Sequence, residues 1–350
     1  MSNLRIIGIL LGLLGVFLSL KIFRGPRWNR KNFVFSGFIS LFLIIVCVDP
    51  DTVNIARKML SLERSEYGRI IALLIGSNML LWFLVLYFKS VQDRRAYQFD
   101  MLVRKLGEEQ ASAIIEDNEF NDSEIAVLIP AYNEARNLEL LLPEIPELID
   151  GKRVSTLVVD DGSSDGTAGT ALKAGAWVVE NRINRGGGAA LRLGYDIIKR
   201  AGIPICVTMD GDGQHRPEDI TALIRPIIEE KYDIVIGSRV LGGREKDNLF
   251  RMAGVYLFSA IISFLLHTKI TDSSSGFRAF RMEVINLMTL REDQYHTSEL
   301  IIDAAKKGMK IGEAPVTIVK RKFGKSKKGK DWKYGINFAK IIITTWWRQI

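Results

Sequence analysis

Three long apolar runs open the chain, at residues 4–23, 33–48 and 70–88. Each run is close to the length that an α-helix needs to cross a hydrocarbon core of about 30 Å, and none has a charge near its middle. A cleavable signal peptide would explain only the first run, which has little charge before it and no clear small-residue cleavage site. The pattern predicts three transmembrane helices, and with them a membrane domain over residues 1–90.

Basic residues flank these runs unevenly. Lys and Arg are concentrated in the connector between the first two runs and in the segment after the third. By the positive-inside rule both segments face the cytoplasm, so the N-terminus lies outside. Residues 91–123 then become polar and acidic, which predicts a helical or loose linker at a domain boundary.

From residue 124 onwards, short apolar runs alternate with amphipathic ones. The candidate strands are 125–129, 156–159, 177–180, 205–209 and 234–237, and the candidate helices between them are 135–148, 167–174, 188–200 and 217–230. This βαβ alternation predicts an α/β domain with a mostly parallel, Rossmann-like sheet. Ligands of such sheets bind beyond the carboxyl ends of the strands, which is where the polar motifs of this region fall.

Two later segments, 249–267 and 332–347, are apolar around most of their circumference. The second ends with Trp346 and Trp347, and tryptophan prefers the headgroup level of a bilayer. Both segments are expected to form amphipathic helices in the membrane interface, the second as a C-terminal element over residues 331–350. Ordinary core helices are the alternative for each.

Composition adds a charge asymmetry to this picture. The chain has 350 residues, 47% of them hydrophobic, and a formal net charge of +8. The two cysteines, Cys47 and Cys206, lie in separate apolar runs, so a disulfide framework is not expected. Eight Lys and Arg between Lys320 and Lys333 supply nearly the whole excess charge. This run is expected to meet anionic headgroups and phosphates, and nucleic acid is not an expected partner.

The central chemical motif follows the candidate strand 205–209. Asp210 and Asp212 lie one residue apart on a glycine-rich turn, and Gln214 adds a neutral oxygen. Mg²⁺ and Mn²⁺ prefer oxygen ligands, and Mg²⁺ commonly shares its shell with substrate phosphates. The turn therefore predicts a site for a metal–diphosphate, with a plain solvated turn as the alternative.

Polar clusters also follow the first two candidate strands, at 130–134 and 160–167. Asn133 and Asp165 are suited to capping helices. A capped turn needs one such residue, however, and the second cluster contains three acids within six positions. The surplus indicates recognition of a base or of ribose hydroxyls. The glycine-rich stretch 184–188, before a helix, would let backbone N–H groups approach an anion.

The order of these motifs resembles the family-2 glycosyltransferases of the GT-A fold, in particular the dolichyl- and polyprenyl-phosphate mannose and glucose synthases. The resemblance spans about residues 125–327, because it continues through the segment 272–278, the Thr-Ser-Glu-Leu motif at Glu299 and the basic motif 321–327. The first hundred residues resemble a small three-helix membrane domain found beside such enzymes.

The resemblance implies a role for each matching residue. The nucleotide sugar would be bound by Pro130, Tyr132, Glu134, Val159, Asp161, Asp210, Arg321 and Lys327. The catalytic set would be Asp212, Arg239, Arg251, Asp272, Arg278 and Glu299, with Asp212 and Gln214 as ligands of Mg²⁺ or Mn²⁺. Arg239 and Arg251 would reach the lipid phosphate, although residues 252–254 lack the nearby serine that the family usually has.

The sequence is thus expected to encode a multi-pass enzyme of the cell membrane with a cytoplasmic GT-A domain over residues 124–330. It would perform metal-dependent, inverting transfer of one sugar, mannose or glucose, to a polyprenyl or dolichyl phosphate. The donor would be of the GDP-mannose or UDP-glucose type, and a homo-oligomer is compatible with the sequence.

Two other functions are alternatives. A processive polysaccharide synthase would carry a Gln-x-x-Arg-Trp motif and later transmembrane helices, and the sequence has neither. A membrane scaffold or transporter-like protein with an inactive transferase domain is disfavoured by the uncharged spans and by the intact Asp210, Asp212 and Gln214.

Overall fold

The computed structural model of the chain describes residues 3–23, 30–54, 58, 67–244, 249–290, 296–324 and 331–347. They divide into two units, Met1–Gln98 and Phe99–Ile350. The first unit carries the apolar N-terminal helices, and the second carries every candidate site residue.

The first unit contains the helices α1 (Asn3–Phe23) and α2 (Arg30–Val48) and most of α3 (Gly68–Gln110). Helices α1 and α2 form an antiparallel pair, in which Gly12 lies against Ile44 and Gly15 against Ser40. Among the described residues, one stretch is long and apolar enough to cross a membrane by length and composition, Leu73–Gln110 within α3. The three predicted runs are therefore helical, and their number of membrane crossings stays a prediction.

The predicted linker is helical over most of its length. Helix α3 continues to Gln110 and is followed by two short helices, α4 (Ser112–Ile115) and α5 (Asn118–Asn121). Ala111 and Phe120 are fully buried in the core of the second unit, and the Phe120 ring meets Trp177 edge to face at 5.6 Å. The polar composition of this stretch belongs to its outer surface.

A mixed sheet organises the second unit. Its strands are β1 (Ile125–Ala131), β2 (Leu148–Ile149), β3 (Lys152–Asp160), β4 (Trp177–Glu180), β5 (Ile205–Thr208), β6 (Ile234–Arg244), β7 (Arg278–Arg281) and β8 (Ile311–Ile318). The order is β2-β3-β1-β5-β7-β6-β8. Strand β3 pairs with β2 near its start, at residues 152–153, and with β4 near its end, at residues 157–160. Only β2 and β7 run antiparallel to their neighbours within the described part of the sheet, so the expected mostly parallel α/β sheet is confirmed.

Helices cover both faces of this sheet. They are α6 (Ala135–Leu141), α7 (Thr167–Lys173), α8 (Gly187–Arg200), α9 (Ile220–Ile228), α10 (Leu249–Leu266), α11 (Met282–Leu287), α12 (His296–Lys306) and α13 (Asp331–Trp347). Strand β1 shows why its sequence is apolar throughout. Ile125, Val127 and Ile129 pack into the core on one face, whereas Ala126 and Leu128 pack into the core on the other. A strand that is buried on both faces reads as a continuous apolar run.

Proline explains where two predicted helices differ from the structure. The helix expected over residues 135–148 ends at Leu141, and Leu142–Glu144 form a 3₁₀ turn that contains Pro143. The helix expected over residues 217–230 opens with the 3₁₀ turn Pro217–Asp219. Proline lacks the N–H that continued α-helical hydrogen bonding requires, which favours it in the first turn or at such breaks, although α9 contains Pro226 in its last turn.

Helices α10, α12 and α13 pack against one another beside the sheet. The rings of Phe258 and Phe338 meet between α10 and α13 with their centres 4.6 Å apart and their planes tilted by 50°. On the outside, α10 exposes Tyr256, Leu257 and Phe264, the last with 78% of its surface accessible. Both segments are therefore helices with one side in the core and apolar side chains uncovered on the other, and their place in a membrane interface stays a prediction.

Gly194 marks the closest approach between α8 and the sheet. A Cβ atom at this position would lie 2.3 Å from Leu128 Cδ1, so Gly194→Ala forces two fully packed elements apart. We expect the variant to lose about 1–3 kcal/mol of unfolding free energy, measured as a lower thermal midpoint in detergent.

Gly169→Ala in α7 is the matched control, because an added Cβ there meets no atom within 4 Å. This second variant should be neutral or more stable, since alanine favours helix more than glycine does. Equal midpoints for both variants would contradict the packing argument.

Candidate active site at the carboxyl edge of the sheet

The polar motifs meet at one edge of the sheet. The loops after β1, β3, β4, β5 and β8 all leave the carboxyl ends of strands that run in the same direction. The loop before β7 joins them there, because β7 runs antiparallel to β5 and β6. The site is therefore assembled from six loops.

The turns after β1 and β3 are tied together by side chains. Asn133 adopts a left-handed conformation with φ of 53°, and its Oδ1 accepts from the Ser164 amide at 2.9 Å. Asp165 accepts from the Thr167 amide of α7 and from the Ala135 amide of α6, both at 3.1 Å. Burial alone would raise the pKa of Asp165, but hydrogen bonds from Thr167 and Ala135 lower it on balance. Asp165 therefore binds the first amide of both helices, which agrees in part with its expected capping role. The expectation is wrong for Asn133, whose side chain binds the Ser164 amide in the turn, and the N-cap residues are Glu134 and Gly166.

Asp161 holds the glycine-rich loop that precedes α8. Its carboxylate accepts from the Gly186 amide at 2.6 Å, the Arg185 amide at 3.0 Å and Asn181 Nδ2 at 3.0 Å. The residue is 2% exposed, and burial raises its pKa against the effect of these hydrogen bonds. Its carboxylate therefore fixes the conformation of the loop before α8.

The turn after β5 places two acids beside each other. Asp212 accepts from the Gln214 amide at 3.1 Å, and the Gln214 side-chain nitrogen donates to the Val319 carbonyl at 3.2 Å. Burial raises the pKa of Asp212, and the charge of Asp210 raises it further. His215 supports the turn from below, since its Nδ1 accepts from the Asp210 amide at 3.2 Å while its ring stacks on Phe277. A positive charge at this turn would relieve the repulsion between Asp210 and Asp212.

Arg321 supplies a positive charge at this point. Its guanidinium lies 2.8 Å from Glu134 Oε1 and 3.2 Å from Asp212 Oδ2, so it bridges the loops after β1 and β5. The segment 319–323, which we call the strap, follows β8 across the site. It is anchored at its far end, where Asn137 donates to the Phe323 carbonyl at 3.3 Å and Arg136 lies 4.2 Å from the Phe323 ring centre.

Arg239 and Asp272 form a second ion pair at the same edge. The Arg239 Nε and a terminal nitrogen bind the two Asp272 oxygens at 2.5 and 3.0 Å, and the guanidinium also donates to Ser274 Oγ at 2.7 Å. Asp272 is fully buried; burial by itself would raise its pKa, but Arg239 lowers it on balance. The register of β6 against β8 shifts between Ser238 and Gly243, and this irregularity lets Arg239 leave the sheet.

Arg278 is engaged with the protein backbone. Its Nε donates to the Ser275 carbonyl at 2.8 Å, and its terminal nitrogens donate to the carbonyls of Ser273 and Thr297. Burial lowers its pKa to about 10. The guanidinium thus holds the loop before β7 and is 2% exposed, and the place of Arg278 in the catalytic set stays a prediction.

The remaining predicted residues occupy different surroundings. The Val159 side chain is fully buried in the core, and the residue pairs with Pro130 of β1, so a contact with the nucleotide through its backbone stays a prediction. Tyr132 is half-buried in the turn after β1, and Glu299 is fully buried in α12. Arg251 lies in α10, but its side chain is outside the described part of the chain, as is the whole of Lys327.

Sequence reasoning did not identify Glu313, Asn181 or the strap contact at Phe323. Glu313 on β8 accepts from the amides of Thr271 and Asp272 at 2.8 and 3.0 Å. The sequence does contain a signal for Glu313, because it places a carboxylate inside the mostly apolar run 311–318. That run is apolar enough to be a strand, but no strand had been predicted there.

Comparison with known proteins agrees with this architecture. The model for the glycosyl transferase family 2 matches residues 126–288. The chain is 34% identical over 218 residues to the polyprenol monophosphomannose synthase of Mycolicibacterium smegmatis, covering 57% of this chain and 79% of that one. It is 31% identical over 220 residues to a UDP-N-acetylglucosamine–dolichyl-phosphate N-acetylglucosaminyltransferase of Methanococcus voltae, covering 57% and 86%.

A solved structure shares the fold. Glucosyl-3-phosphoglycerate synthase from Mycobacterium tuberculosis, in complex with Mn²⁺, uridine diphosphate and phosphoglyceric acid, superposes with a TM-score of 0.51 at 20% identity. The match covers 65% of this chain and 80% of that one.

A doubly covered, mostly parallel sheet with paired acids after β5 defines a glycosyltransferase of the GT-A fold. The chain belongs to glycosyltransferase family 2.

Gly276 tests the arrangement around Asp210. A Cβ atom at Gly276 would lie 2.9 Å from Asp210 Oδ1, so Gly276→Ala displaces that carboxylate or its loop. We expect about a 10- to 100-fold loss of sugar transfer, because reacting groups in an active site tolerate little misplacement. The rate of nucleotide release from the sugar donor measures it.

The Gly169→Ala variant again serves as the control, since its added methyl group meets open space far along the chain from the turn. If Gly276→Ala turns over at the wild-type rate, the reaction does not depend on the position of the Asp210 carboxylate.

Proposed function

We propose that this protein transfers one sugar from a nucleotide diphosphate sugar to a polyprenyl phosphate, with inversion and with a divalent cation, at the cytoplasmic face of a membrane. The named relatives act on polyprenol and dolichyl phosphate acceptors, which supports a lipid phosphate as the acceptor class. The names of these relatives differ in the sugar, so mannose and glucose remain our preferred sugars alongside N-acetylglucosamine.

One observation carries the proposal. The five residues from Asp272 to Gly276 contact both halves of the candidate site: Asp272 and Ser274 hold Arg239, whereas Gly276 lies against the Asp210 carboxylate. A guanidinium for an acceptor phosphate and an acidic turn for a metal–diphosphate are thereby held by one loop. Transfer between two phosphate-bearing molecules needs such a pair of sites.

The acidic turn fits a divalent cation. Burial raises the pKa of Asp212 and the charge of Asp210 raises it further, and a cation would relieve the repulsion between the two acids. No cluster of three or more His, Cys, Asp or Glu side chains suited to a metal occurs among the described residues, so diphosphate and water oxygens would complete the shell. A bound Mg²⁺ or Mn²⁺ would neutralise charge on the leaving diphosphate.

Arg321 would share that task. Its guanidinium already lies between Glu134 and Asp212, within a side chain's reach of the turn. When a donor diphosphate enters, its oxygens offer the guanidinium bidentate hydrogen bonds of the kind that arginine forms best. The strap would then help to exclude water, which protects the donor from hydrolysis.

The acceptor would need no general base. The second pKa of a phosphate monoester is about 6, so a lipid phosphate is mostly a dianion at pH 7 and is already a nucleophile. Arg239 would position it and reduce its repulsion from the donor. Asp272 would orient Arg239, and its lowered pKa makes it a poor proton acceptor.

Membrane contact would come from the uncovered faces of α10 and α13. Tyr256, Leu257 and Phe264 are exposed on α10, and Trp346 and Trp347 are exposed on α13. Aromatic and aliphatic side chains on the outer face of packed helices suit the level of lipid headgroups. An acceptor anchored in the bilayer could then present its phosphate to the adjacent loop.

The test is a panel of labelled GDP-mannose, UDP-glucose and UDP-N-acetylglucosamine, each with dolichyl phosphate and undecaprenyl phosphate in mixed vesicles. We expect one donor to label the lipid fraction in the presence of Mg²⁺ or Mn²⁺ and not in the presence of a chelator. Release of free nucleotide that is independent of either lipid phosphate would refute the proposed acceptor.

Arg321→Ala should have opposite effects on two binding measurements. Without donor, the variant should bind Mn²⁺ about 10- to 100-fold more tightly, because Asp212 loses a competing cation worth the energy of a charged hydrogen bond. With a nucleoside diphosphate present, the same variant should bind the Mn²⁺–nucleotide complex more weakly, because the diphosphate loses Arg321.

Asp212→Asn is the matched variant of the Arg321–Asp212 pair. It should weaken the binding of Mn²⁺ alone and of the Mn²⁺–nucleotide complex, and it should abolish transfer. Titration calorimetry on purified full-length protein gives both affinities. Weaker Mn²⁺ binding by Arg321→Ala would rule out competition between the guanidinium and the metal.

A base-free reaction predicts a particular pH dependence. Wild-type turnover should fall as the pH drops below about 6, where the lipid phosphate takes up a proton. Asp272→Asn and Glu299→Gln should lower turnover across the whole range without shifting this limb.

Loss of a true general base would cost about 10²–10⁴-fold and would be partly relieved as the pH rises. That relief in either variant, together with an active Arg239→Ala, would contradict the mechanism.

A further inference from the structure

Helix α10 contains two hydroxyls on its inward side. Ser259 and Ser263 are four residues apart, so they lie on one face of the helix, one turn from each other. Ser259 is 2% exposed. The outer face carries Leu257, Ile261 and Phe264, which are exposed. Buried serine hydroxyls do not stabilise such an apolar helix unless they form hydrogen bonds.

Both serines bind the loop that carries Asp272. Ser263 Oγ accepts from the Ile270 amide at 3.0 Å, and Ser259 Oγ accepts from the Ser273 amide at 3.0 Å. The two hydroxyls thus grip the segment 270–273 at both ends. Its middle residues, Thr271 and Asp272, face the other way.

Glu313 binds those middle residues from the opposite side. Its Oε1 accepts from the amides of Thr271 and Asp272 at 2.8 and 3.0 Å, and its Oε2 accepts from Thr271 Oγ1 at 2.9 Å. Thr271 Oγ1 also lies 2.6 Å from Ser238 Oγ, next to Arg239 in the chain. The segment 270–273 is therefore clamped between α10 and β8.

We infer that Ser259, Ser263 and Glu313 are positioning residues for the acceptor phosphate, because they fix the segment from which Asp272 orients Arg239. This inference rests on the proposed function, which puts the acceptor phosphate at Arg239. The clamp connects the helix with the exposed apolar face directly to the cation of the site. A lipid that docks on α10 and a phosphate that docks on Arg239 are then held in one geometry.

The chemistry of Glu313 gives a discriminating substitution. One oxygen accepts both amides, whereas the other meets a hydroxyl, which can donate or accept. A glutamine can keep both amide bonds with its oxygen and donate to Thr271 Oγ1 with its nitrogen. Glu313→Gln should therefore preserve the clamp, whereas Glu313→Ala removes three hydrogen bonds.

The experiment measures binding of farnesyl phosphate, a short polyprenyl monophosphate, to the full-length protein in detergent by titration calorimetry. For Glu313→Ala and for the double variant Ser259→Ala/Ser263→Ala, we expect the dissociation constant to rise about 3- to 10-fold, as the loss of buried hydrogen bonds predicts. Glu313→Gln should stay within about twofold of the wild type. Binding of Mn²⁺ with UDP or GDP should be unchanged in all of these variants.

Two further variants protect the interpretation. Ser112→Ala removes a half-buried hydroxyl that donates to the Glu108 carbonyl within its own helical region, and it should change neither affinity. Thr271→Val removes one hydroxyl while it leaves the two amide bonds, so it should fold and weaken farnesyl phosphate binding less than Glu313→Ala does.

Each outcome decides something. Wild-type binding in Glu313→Ala, equal weakening in Glu313→Gln and Glu313→Ala, or a parallel loss of nucleotide binding would each overturn the positioning role. Wild-type protein that neither binds farnesyl phosphate nor labels a polyprenyl phosphate would instead overturn the proposed function, and the inference with it. A change confined to farnesyl phosphate, rescued by glutamine, supports the inference.

Discussion

Repulsion among acidic side chains at the carboxyl edge of the sheet is the constraint on which the site depends. Glu134, Asp210 and Asp212 meet there in partly dehydrated surroundings, where like charges interact more strongly than in water. Arg321, which lies on the strap after β8, offsets this repulsion with a positive charge. The conformation of the strap is therefore linked to the charge state of the turn, and any ligand that changes the charge there also acts on the strap.

The loop before β7 holds a second cation, Arg239, at the same edge of the sheet. Asp272 is buried and paired with Arg239, and Arg278 holds the same loop through backbone carbonyls. Burying an ion pair costs desolvation energy that good geometry must offset. The bidentate contact provides that geometry, and the protein itself sets the position of the Arg239 guanidinium.

Much of this fold could be predicted because strand burial leaves a direct trace in the sequence. Strand β1 is apolar at every position since helices cover both faces, and the motifs fall at strand ends because that is where the chain must turn. Strand β7 was missed, because Arg278–Arg281 begins and ends with arginine and its antiparallel pairing depends on β5 and β6 alone.

The site was predictable to the level of its motifs and not of its contacts. Asp161 and Arg278 were expected to face substrate, but one binds loop amides and the other binds loop carbonyls. A sequence states which groups can donate or accept, and only the packing decides which partner each group meets. Glu313 shows the reverse case, since its importance lies in backbone amides 41 and 42 positions away.

The helical stretch before β1 bears on where the chain can be cut. Composition suggests residue 124 as the start of the catalytic domain, yet Ala111, Ile114 and Phe120 are core residues, and Gly107 lies against Leu193 of α8. A fragment that begins at residue 124 would leave Trp177 and Leu193 facing solvent, and exposed apolar surface of this kind promotes aggregation. A fragment that begins at Phe99 keeps that cover, so the natural excision point for solution work lies inside a continuous helix.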